Sequence, residues 1–88
     1  MEDREKVYMA ALETYGEEAQ IIMVFEEKAE LQKELCKYLR GERNITNIAE
    51  EIADVEITLE QMKLLFEIDG LVDDFKSIKI DRLKERLK

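Results

Sequence analysis

The chain has no histidine, no proline and no tryptophan, and only one cysteine and three glycines among its 88 residues. Without histidine, imidazole catalysis, zinc sites of the usual histidine type and di-iron bundles with Glu-x-x-His motifs are excluded. The single cysteine, Cys36, cannot form an intrachain disulfide. Because Cys36 lies among the apolar positions of its predicted helix, we expect a small buried side chain and not a reactive thiol.

Two further absences concern membranes and nucleic acids. The sequence has no signal peptide and no apolar run long enough to span a bilayer, so we expect a cytoplasmic protein that does not enter a membrane. Acidic residues outnumber basic ones by 22 to 14, which gives a net charge of −8. This charge argues against a protein that binds a nucleic-acid polymer through a general basic surface.

The residues that are present are typical of a helical bundle. Apolar residues make up 45% and charged residues 41% of the chain, and the apolar residues recur three and four positions apart. We therefore predict an all-α fold with one domain over residues 1–88. Glycines divide it into helices near residues 3–15, 17–40, 46–68 and 71–87.

The predicted helix ends carry local signals of their own. Gly41 indicates the end of the second helix. Either Asn44 or Thr46 is suited to cap the third helix. The Asp69-Gly70 pair predicts a turn before the fourth helix, with a kink between two nearly continuous helices as the alternative.

The central predicted unit is an antiparallel hairpin of the second and third helices, flanked by the first and the fourth. A chain of this length forms only a marginal core by itself. We therefore expect the hairpin to assemble into a four-helix-type bundle by oligomerisation, as a homodimer or homotetramer.

Two acidic motifs lie on the two helices of this hairpin. One reads EEKAE from Glu26, and the other reads EIAD from Glu51. Residues three apart are neighbours on a helix surface, so Glu27 pairs with Glu30, and Glu51 pairs with Asp54. In an antiparallel hairpin the two pairs can approach each other. Carboxylates that face one another repel unless a cation lies between them, and Mg²⁺ is the hard cation that suits oxygen ligands of this kind.

The positions of these acids on their helices are more informative than the motifs themselves, because a chain this acidic contains short acidic motifs by chance. Glu51 and Asp54 fall between two apolar arcs of the third helix, away from its solvated face. A buried carboxylate is costly without a partner, so we expect a sheltered site with a function at these two positions. Glu27 lies at the edge of an apolar arc, and we expect it to be half-buried. Glu30 is the more exposed member of its pair.

At these residues the sequence resembles the MazG-like, all-α nucleotide pyrophosphohydrolases, and in particular their compact, phage-type members. The signature of that family is EExxE, a spacer and ExxD. The resemblance covers about residues 12–87, and further matching positions are Tyr15-Gly16, Gln20, Lys37, Arg40-Gly41, the run from Glu50 to Val55, the run from Lys79 to Leu83, and Arg86.

The resemblance implies an enzyme that cleaves a nucleoside triphosphate between the α and β phosphates. Its products would be the monophosphate and pyrophosphate, its cofactor Mg²⁺, and its assembly a dimer or tetramer. The implied catalytic residues are Glu26 and Glu27. Glu26 would either hold a metal ligand in place, or orient or deprotonate the attacking water. The implied metal ligands are Glu27, Glu30, Glu51 and Asp54.

The sequence identifies the substrate-binding residues less clearly than the acidic ones. Gln20 is the main candidate for contact with the base, since the family pattern also shows glutamine there. Other candidates for the base are Tyr15, Phe25, Tyr38 and Asn47. Two basic stripes are candidates for binding the phosphates. They are Lys33, Lys37 and Arg40 on the second helix, and Lys79, Arg82 and Arg86 on the last. The alternative is that they are solvated faces, or cations suited to helix C-termini.

Two other functions are compatible with the sequence. The first alternative is a non-catalytic acidic helical module that dimerises and binds a protein partner. The second is an acidic mimic of DNA, which the sequence disfavours because its acids alternate with lysine and arginine instead of forming a continuous row. Loss of pyrophosphate release on neutralising the signature acids distinguishes the enzyme from both.

Overall fold

A computed structural model describes residues 3–88, which form four helices and no strand. The all-α prediction is confirmed, and each boundary falls within two residues of its predicted place. No helix in this part of the chain has both the length and the apolar character that crossing a membrane requires. The helices are α1 (Asp3–Tyr15), α2 (Glu17–Leu39), α3 (Ile45–Phe66) and α4 (Asp69–Arg86).

The principal contact lies between α2 and α3, which form the predicted antiparallel hairpin. α1 packs against both of these helices, and the Tyr8 hydroxyl donates a hydrogen bond to the Glu60 carboxylate of α3. Among residues 3–88, α4 contacts α3 and no other helix. The hairpin is therefore covered on one side by α1, while α4 extends away from it.

The end of α2 is set by Gly41, as predicted. Gly41 has a φ of +98°, a conformation that glycine adopts without the steric cost of a side chain. Its amide donates to the Tyr38 carbonyl at 2.9 Å, and the Glu42 amide donates to the Lys37 carbonyl at 3.1 Å. These two bonds form a Schellman motif, which satisfies the last carbonyl groups of the helix.

The start of α3 differs from the prediction. Asn44 occupies the N-cap position but makes no capping hydrogen bond, because its ψ of 35° is not the extended value of a capping residue. Its side-chain amide instead donates to the Glu34 carbonyl at 2.8 Å and to the Glu34 carboxylate at 3.0 Å. Asn44 thus fastens the inter-helix loop to α2.

The junction of α3 and α4 also differs from the prediction. The chain turns at Glu67, whose φ is +54°, and the Ile68 amide donates to the Lys63 carbonyl at 3.0 Å. Asp69 is already in the first turn of α4, where its charge suits the helix dipole. The turn predicted at Asp69-Gly70 therefore lies two residues earlier. The alternative prediction, a kink between two nearly continuous helices, describes this junction better than a separate turn does.

The most buried side chains of the hairpin are polar. Gln20 and Glu34 on α2, and Thr58 and Gln61 on α3, are all buried. Within residues 3–88, the one buried hydrophobic residue is Tyr8 of α1. The apolar residues of α2 and α3 are half-buried or exposed, so the hairpin leaves much of its apolar surface uncovered.

The exposed area reflects this incomplete core. The chain exposes 7106 Å², against about 5,400 Å² for a compact monomer of this mass. Its radius of gyration is 15.8 Å, against about 12 Å for a compact domain of this length. Cys36 is exposed, so its predicted burial is wrong. The physical reason is that the apolar face of α2 around Leu35 and Leu39 is itself exposed and not covered by another helix of the chain.

Candidate functional site

Three of the four predicted metal ligands converge where α2 faces the early part of α3. One carboxylate oxygen each of Glu27, Glu51 and Asp54 lies within 4.8 Å of the others. Glu27 is supplied by α2, while Glu51 and Asp54 lie one helical turn apart on α3. We call these three residues the acidic cluster.

Two carboxylates of the cluster, those of Glu27 and Glu51, have a raised affinity for protons. Partial burial raises the pKa of Glu27 above its ordinary value, and the neighbouring charges of Asp54 and Glu51 raise it further. Partial burial also raises the pKa of Glu51, with added contributions from the charges of Asp54 and Glu30. The site therefore opposes the presence of three negative charges, which is the electrostatic condition that favours a bound cation.

The exposure of these acids agrees in part with the prediction. Glu27 is half-buried and Glu30 is exposed, as expected. Glu51, which was predicted to be sheltered, is half-buried. Asp54 is also exposed, so its predicted shelter is wrong. The apolar arc beside it, which includes Ile57, is uncovered in the single chain. Glu30 lies outside the acidic cluster and acts on it through its charge alone.

The oxygen atoms of the cluster suit a small divalent cation. Mg²⁺ binds oxygen at about 2.0–2.1 Å in octahedral geometry, so adjacent ligand oxygens lie about 3 Å apart and opposite ones about 4 Å apart. Separations within 4.8 Å reach these values through small side-chain rotations. Carboxylates are also the donors that hard cations prefer. Glu27, Glu51 and Asp54 are therefore suited to hold Mg²⁺.

A cleft of about 610 Å³ opens beside the acidic cluster. Glu26, Glu27 and Asp54 line its acidic end, and Ile22 and Ile57 are among its apolar lining residues. Its volume is within the range of about 300–1,000 Å³ that small-molecule sites occupy. The cleft therefore joins an apolar space to a group of carboxylates.

Two buried amides line the same cleft. Gln20 of α2 and Gln61 of α3 are each 7% exposed. Thr58 lies between them and the acidic cluster, and its hydroxyl donates to the Val55 carbonyl at 2.8 Å. Amides in an apolar cleft can donate and accept hydrogen bonds at fixed positions, which is how a small-molecule site orients a planar polar ligand.

The sequence motifs indicate Gln20 but not Gln61. A signal for Gln61 was present: Gln20 and Glu27 are seven residues apart on α2, as are Asp54 and Gln61 on α3. Seven residues make two turns, so each pair lies on one side of its helix. Once Glu27 faces Asp54 in an antiparallel hairpin, Gln20 must face Gln61.

The other base candidates divide between the cleft and the open surface. Tyr15 lines the cleft and is 68% exposed, so it stands at the opening. Phe25, Tyr38 and Asn47 do not line the cleft. Of the aromatic candidates, Tyr15 is therefore the one that the structure places beside Gln20.

The predicted phosphate-binding cations lie away from the cleft of their own chain. Lys37 forms an ion pair with Glu34 at 3.2 Å. The hydrogen bond from Asn44 and the pairing with Lys37 hold the pKa of Glu34 below its ordinary value. No α4 side chain lines the cleft. Exposed positions along α4 hold the second basic stripe, Lys79, Arg82 and Arg86.

A test of the cluster's repulsion is available in the metal-free protein. A carboxyl with a higher pKa in the folded than in the unfolded state costs folding free energy once it ionises. For Glu27 and Glu51 this loss begins as the pH rises above the ordinary pKa of 4.5 and is complete above their raised values. We therefore expect Glu27→Gln to increase the free energy of unfolding by an amount that grows between acidic and neutral pH, as measured by urea denaturation.

Glu34→Gln is the matched control for this experiment. Its lowered pKa means that its charge stabilises the fold above pH 4.5, and that this contribution disappears as the pH falls through the folded pKa. The control should therefore lose stability at neutral pH and match the parent in acid. A pH-independent effect of Glu27→Gln would contradict the assigned repulsion.

Comparison of the chain with known protein families, curated proteins and solved structures gives no match.

Proposed function

We propose that the chain is a Mg²⁺-dependent hydrolase that converts a nucleoside or deoxynucleoside triphosphate to its monophosphate and pyrophosphate. The observation that carries this proposal is the convergence of Glu27, Glu51 and Asp54 beside a ligand-sized cleft with two buried amides. The resemblance of its two acidic motifs to those of the MazG-like enzymes supplies the reaction and the bond that is cleaved.

Each part of the site has a role in this reaction. Glu27, Glu51 and Asp54 hold Mg²⁺, with Glu30 adding negative charge nearby. When bound, Mg²⁺ neutralises the carboxylates, binds phosphate oxygens and increases the acidity of water. Glu26 lies at the acidic end of the cleft, where it can orient a water molecule or accept its proton.

The apolar part of the cleft accommodates the nucleobase. Gln20 and Gln61 offer hydrogen bonds to the polar edge of the base from opposite helices, and Tyr15 offers an aromatic face at the opening. The triphosphate then extends toward the acidic end. This orientation matches the order of the lining residues along the hairpin, from Gln20 to Glu27 on α2 and from Gln61 to Asp54 on α3.

The active form in this proposal is a homodimer or homotetramer that completes a helical bundle. The excess of exposed area over that of a compact monomer is about 1,700 Å² per chain, which exceeds the roughly 800 Å² that each partner buries in a standard interface. Apolar side chains such as Phe25, Leu59 and Phe66 contribute to it.

The experiment that tests the activity is a panel of ribonucleoside and deoxyribonucleoside triphosphates incubated with the purified chain, with and without Mg²⁺. We expect release of pyrophosphate from at least one triphosphate, only when Mg²⁺ is present. An absence of pyrophosphate release across the panel would refute the proposed reaction.

The role of Gln61 is tested by Gln61→Leu, which keeps the size of the side chain and removes its hydrogen bonds. We expect kcat/KM for the preferred triphosphate to fall by roughly tenfold or more, with a smaller change for the others. Gln32→Leu is the control, since Gln32 is an exposed glutamine of α2 outside the cleft. An equal loss for every triphosphate would contradict a role in reading the base.

A non-catalytic dimerisation module is the alternative function, and the large exposed apolar surface favours it. It predicts that simultaneous replacement of Glu27, Glu51 and Asp54 by their amides alters stability but leaves partner binding intact. The enzyme predicts that the same protein folds, oligomerises and has lost all pyrophosphate release.

A further inference from the structure

One face of α4 changes from apolar to basic along its length. At about 100° per residue, Leu71, Phe75 and Ile78 lie on one face of the first half of the helix. The same face continues in the second half with Lys79, Arg82 and Arg86. α4 has no buried residue, and its three apolar residues on this face are 54%, 53% and 47% exposed, respectively.

The charge of the chain is segregated in the same way. Residues 76–88 contain six basic and two acidic residues, so their net charge is +4. The whole chain has a net charge of −8, so residues 1–75 carry −12. An acidic body thus ends in a basic helical segment, and the two attract each other wherever they can approach.

The basic face of α4 has no ion-pair partner among residues 3–88 of its own chain. The ion pairs within residues 3–88 are Lys37–Glu34, Lys63–Asp69 and Lys88–Glu85, and none includes the acidic cluster or the basic face of α4. α4 also makes no contact with α1 or α2 in this part of the chain.

The hairpin offers a surface with the complementary order. Along α2 the exposed apolar Ile22 precedes Glu26 by one turn, and across the cleft Ile57 stands one turn from Asp54. Because α2 and α3 are antiparallel, both helices change from apolar to acidic in the same spatial direction. A helix that changes from apolar to basic can lie along the edge of the cleft in that direction. Its apolar half then contacts the apolar end of the cleft, and its basic half lies beside the acidic end.

We propose that α4 of one copy of the chain docks along the edge of the cleft of a second copy, beside the space for the nucleobase, and places Lys79, Arg82 and Arg86 next to the second copy's acidic end. Each cleft is then completed by the partner's helix. In the active enzyme these cations bind the triphosphate, while the carboxylates bind its Mg²⁺. The docking stands independently of the proposed function, whereas the phosphate-binding role rests on it.

A second copy fits this face better than an anionic lipid surface. A basic helix with exposed apolar residues can bind such membranes, but here it is attached to a body with a charge of −12, which the same surface repels. The excess exposed area of about 1,700 Å² per chain also exceeds the roughly 800 Å² that each partner buries in a standard interface.

The docking is tested by sedimentation equilibrium with a matched pair of double charge reversals. Arg82→Glu with Arg86→Glu places like charges against the acidic cleft, and we expect the dimer dissociation constant to rise by roughly 100-fold or more. Lys84→Glu with Lys88→Glu makes the same change in net charge on the opposite face of α4, and we expect little effect. Circular dichroism checks that both proteins remain helical.

Two results of this experiment would overturn the docking: a monomeric parent, or equal effects of the two double variants. If the parent is monomeric, binding to phosphatidylserine vesicles that is lost in the Arg82→Glu, Arg86→Glu protein would identify a membrane as the partner of α4 instead. Dimerisation that weakens with added salt, and more steeply in the parent than in the Arg82→Glu, Arg86→Glu protein, would support the docking, since salt screens charge pairs between subunits.

The phosphate-binding role is tested by mixing two deficient chains, Glu27→Gln and Arg82→Gln. If α4 acts in the partner's site, a mixed dimer contains one complete site, and random mixing restores activity at about a quarter of the parental sites. If α4 acts in its own chain, mixing restores nothing, and the inference is wrong. A parent that dimerises through Arg82 and Arg86 but releases no pyrophosphate would instead refute the proposed function while leaving the docking intact.

Discussion

Replacement of Asp54 by asparagine is expected to lower the rate of pyrophosphate release by at least about 100-fold, because it removes a charged ligand of the proposed Mg²⁺ site. The same change is expected to increase the free energy of unfolding of the metal-free protein. Asp54 is the strongest charged neighbour of both Glu27 and Glu51, so its neutralisation removes the main repulsion in the acidic cluster. Activity and stability thus change in opposite directions, as expected for a group that serves function at the expense of the fold.

Glu56→Gln is the control for this experiment. Glu56 is exposed and lies on α3 only two residues from Asp54, but it belongs to neither the acidic cluster nor the cleft. Its neutralisation changes the net charge equally and should leave the rate of pyrophosphate release within about twofold of the parent. A destabilised Asp54→Asn protein with full activity would contradict both the metal site and the repulsion.

Addition of Mg²⁺ is expected to raise the melting temperature of the parent protein. A cation that binds the folded chain alone stabilises it by about 1.4 kcal/mol at ten times its dissociation constant. For a domain of this length that corresponds to a rise of roughly 6–11 °C. Differential scanning calorimetry over a series of Mg²⁺ concentrations measures both the rise and its saturation.

Glu51→Gln separates specific binding from general screening. This variant keeps Glu27 and Asp54 but loses one of the three proposed ligands, so it should show little of the rise. NaCl at matched ionic strength should produce little of the rise in either protein. An equal rise with NaCl in the parent would mean that Mg²⁺ merely screens the net charge.

The sequence was sufficient to predict the helices because the residues that end or begin a helix act locally. Glycine at position 41 required a helix end there, and the structure confirms it through the φ of +98° and the bonds that surround it. The turn before α4 was misplaced because Glu67 adopts a left-handed conformation that is uncommon for a residue with a side chain. No local pattern marks such a residue.

The sequence was less informative wherever burial depended on neighbouring helices. Apolar periodicity predicted a buried Cys36 and a sheltered Asp54, but periodicity identifies an apolar face without identifying what covers it. In the single chain both residues are exposed. The buried Gln61 was missed for the related reason that polar residues give no apolar signal, and only the register of the hairpin places it opposite Gln20.

The proposed activity of this acidic cluster and cleft is cleavage between the α and β phosphates of a nucleoside triphosphate. The most direct test is phosphorus NMR of the complete reaction with the preferred triphosphate and Mg²⁺. The account predicts equal amounts of nucleoside monophosphate and pyrophosphate as the only products, and neither product with the Asp54→Asn protein. Nucleoside diphosphate together with orthophosphate would contradict it.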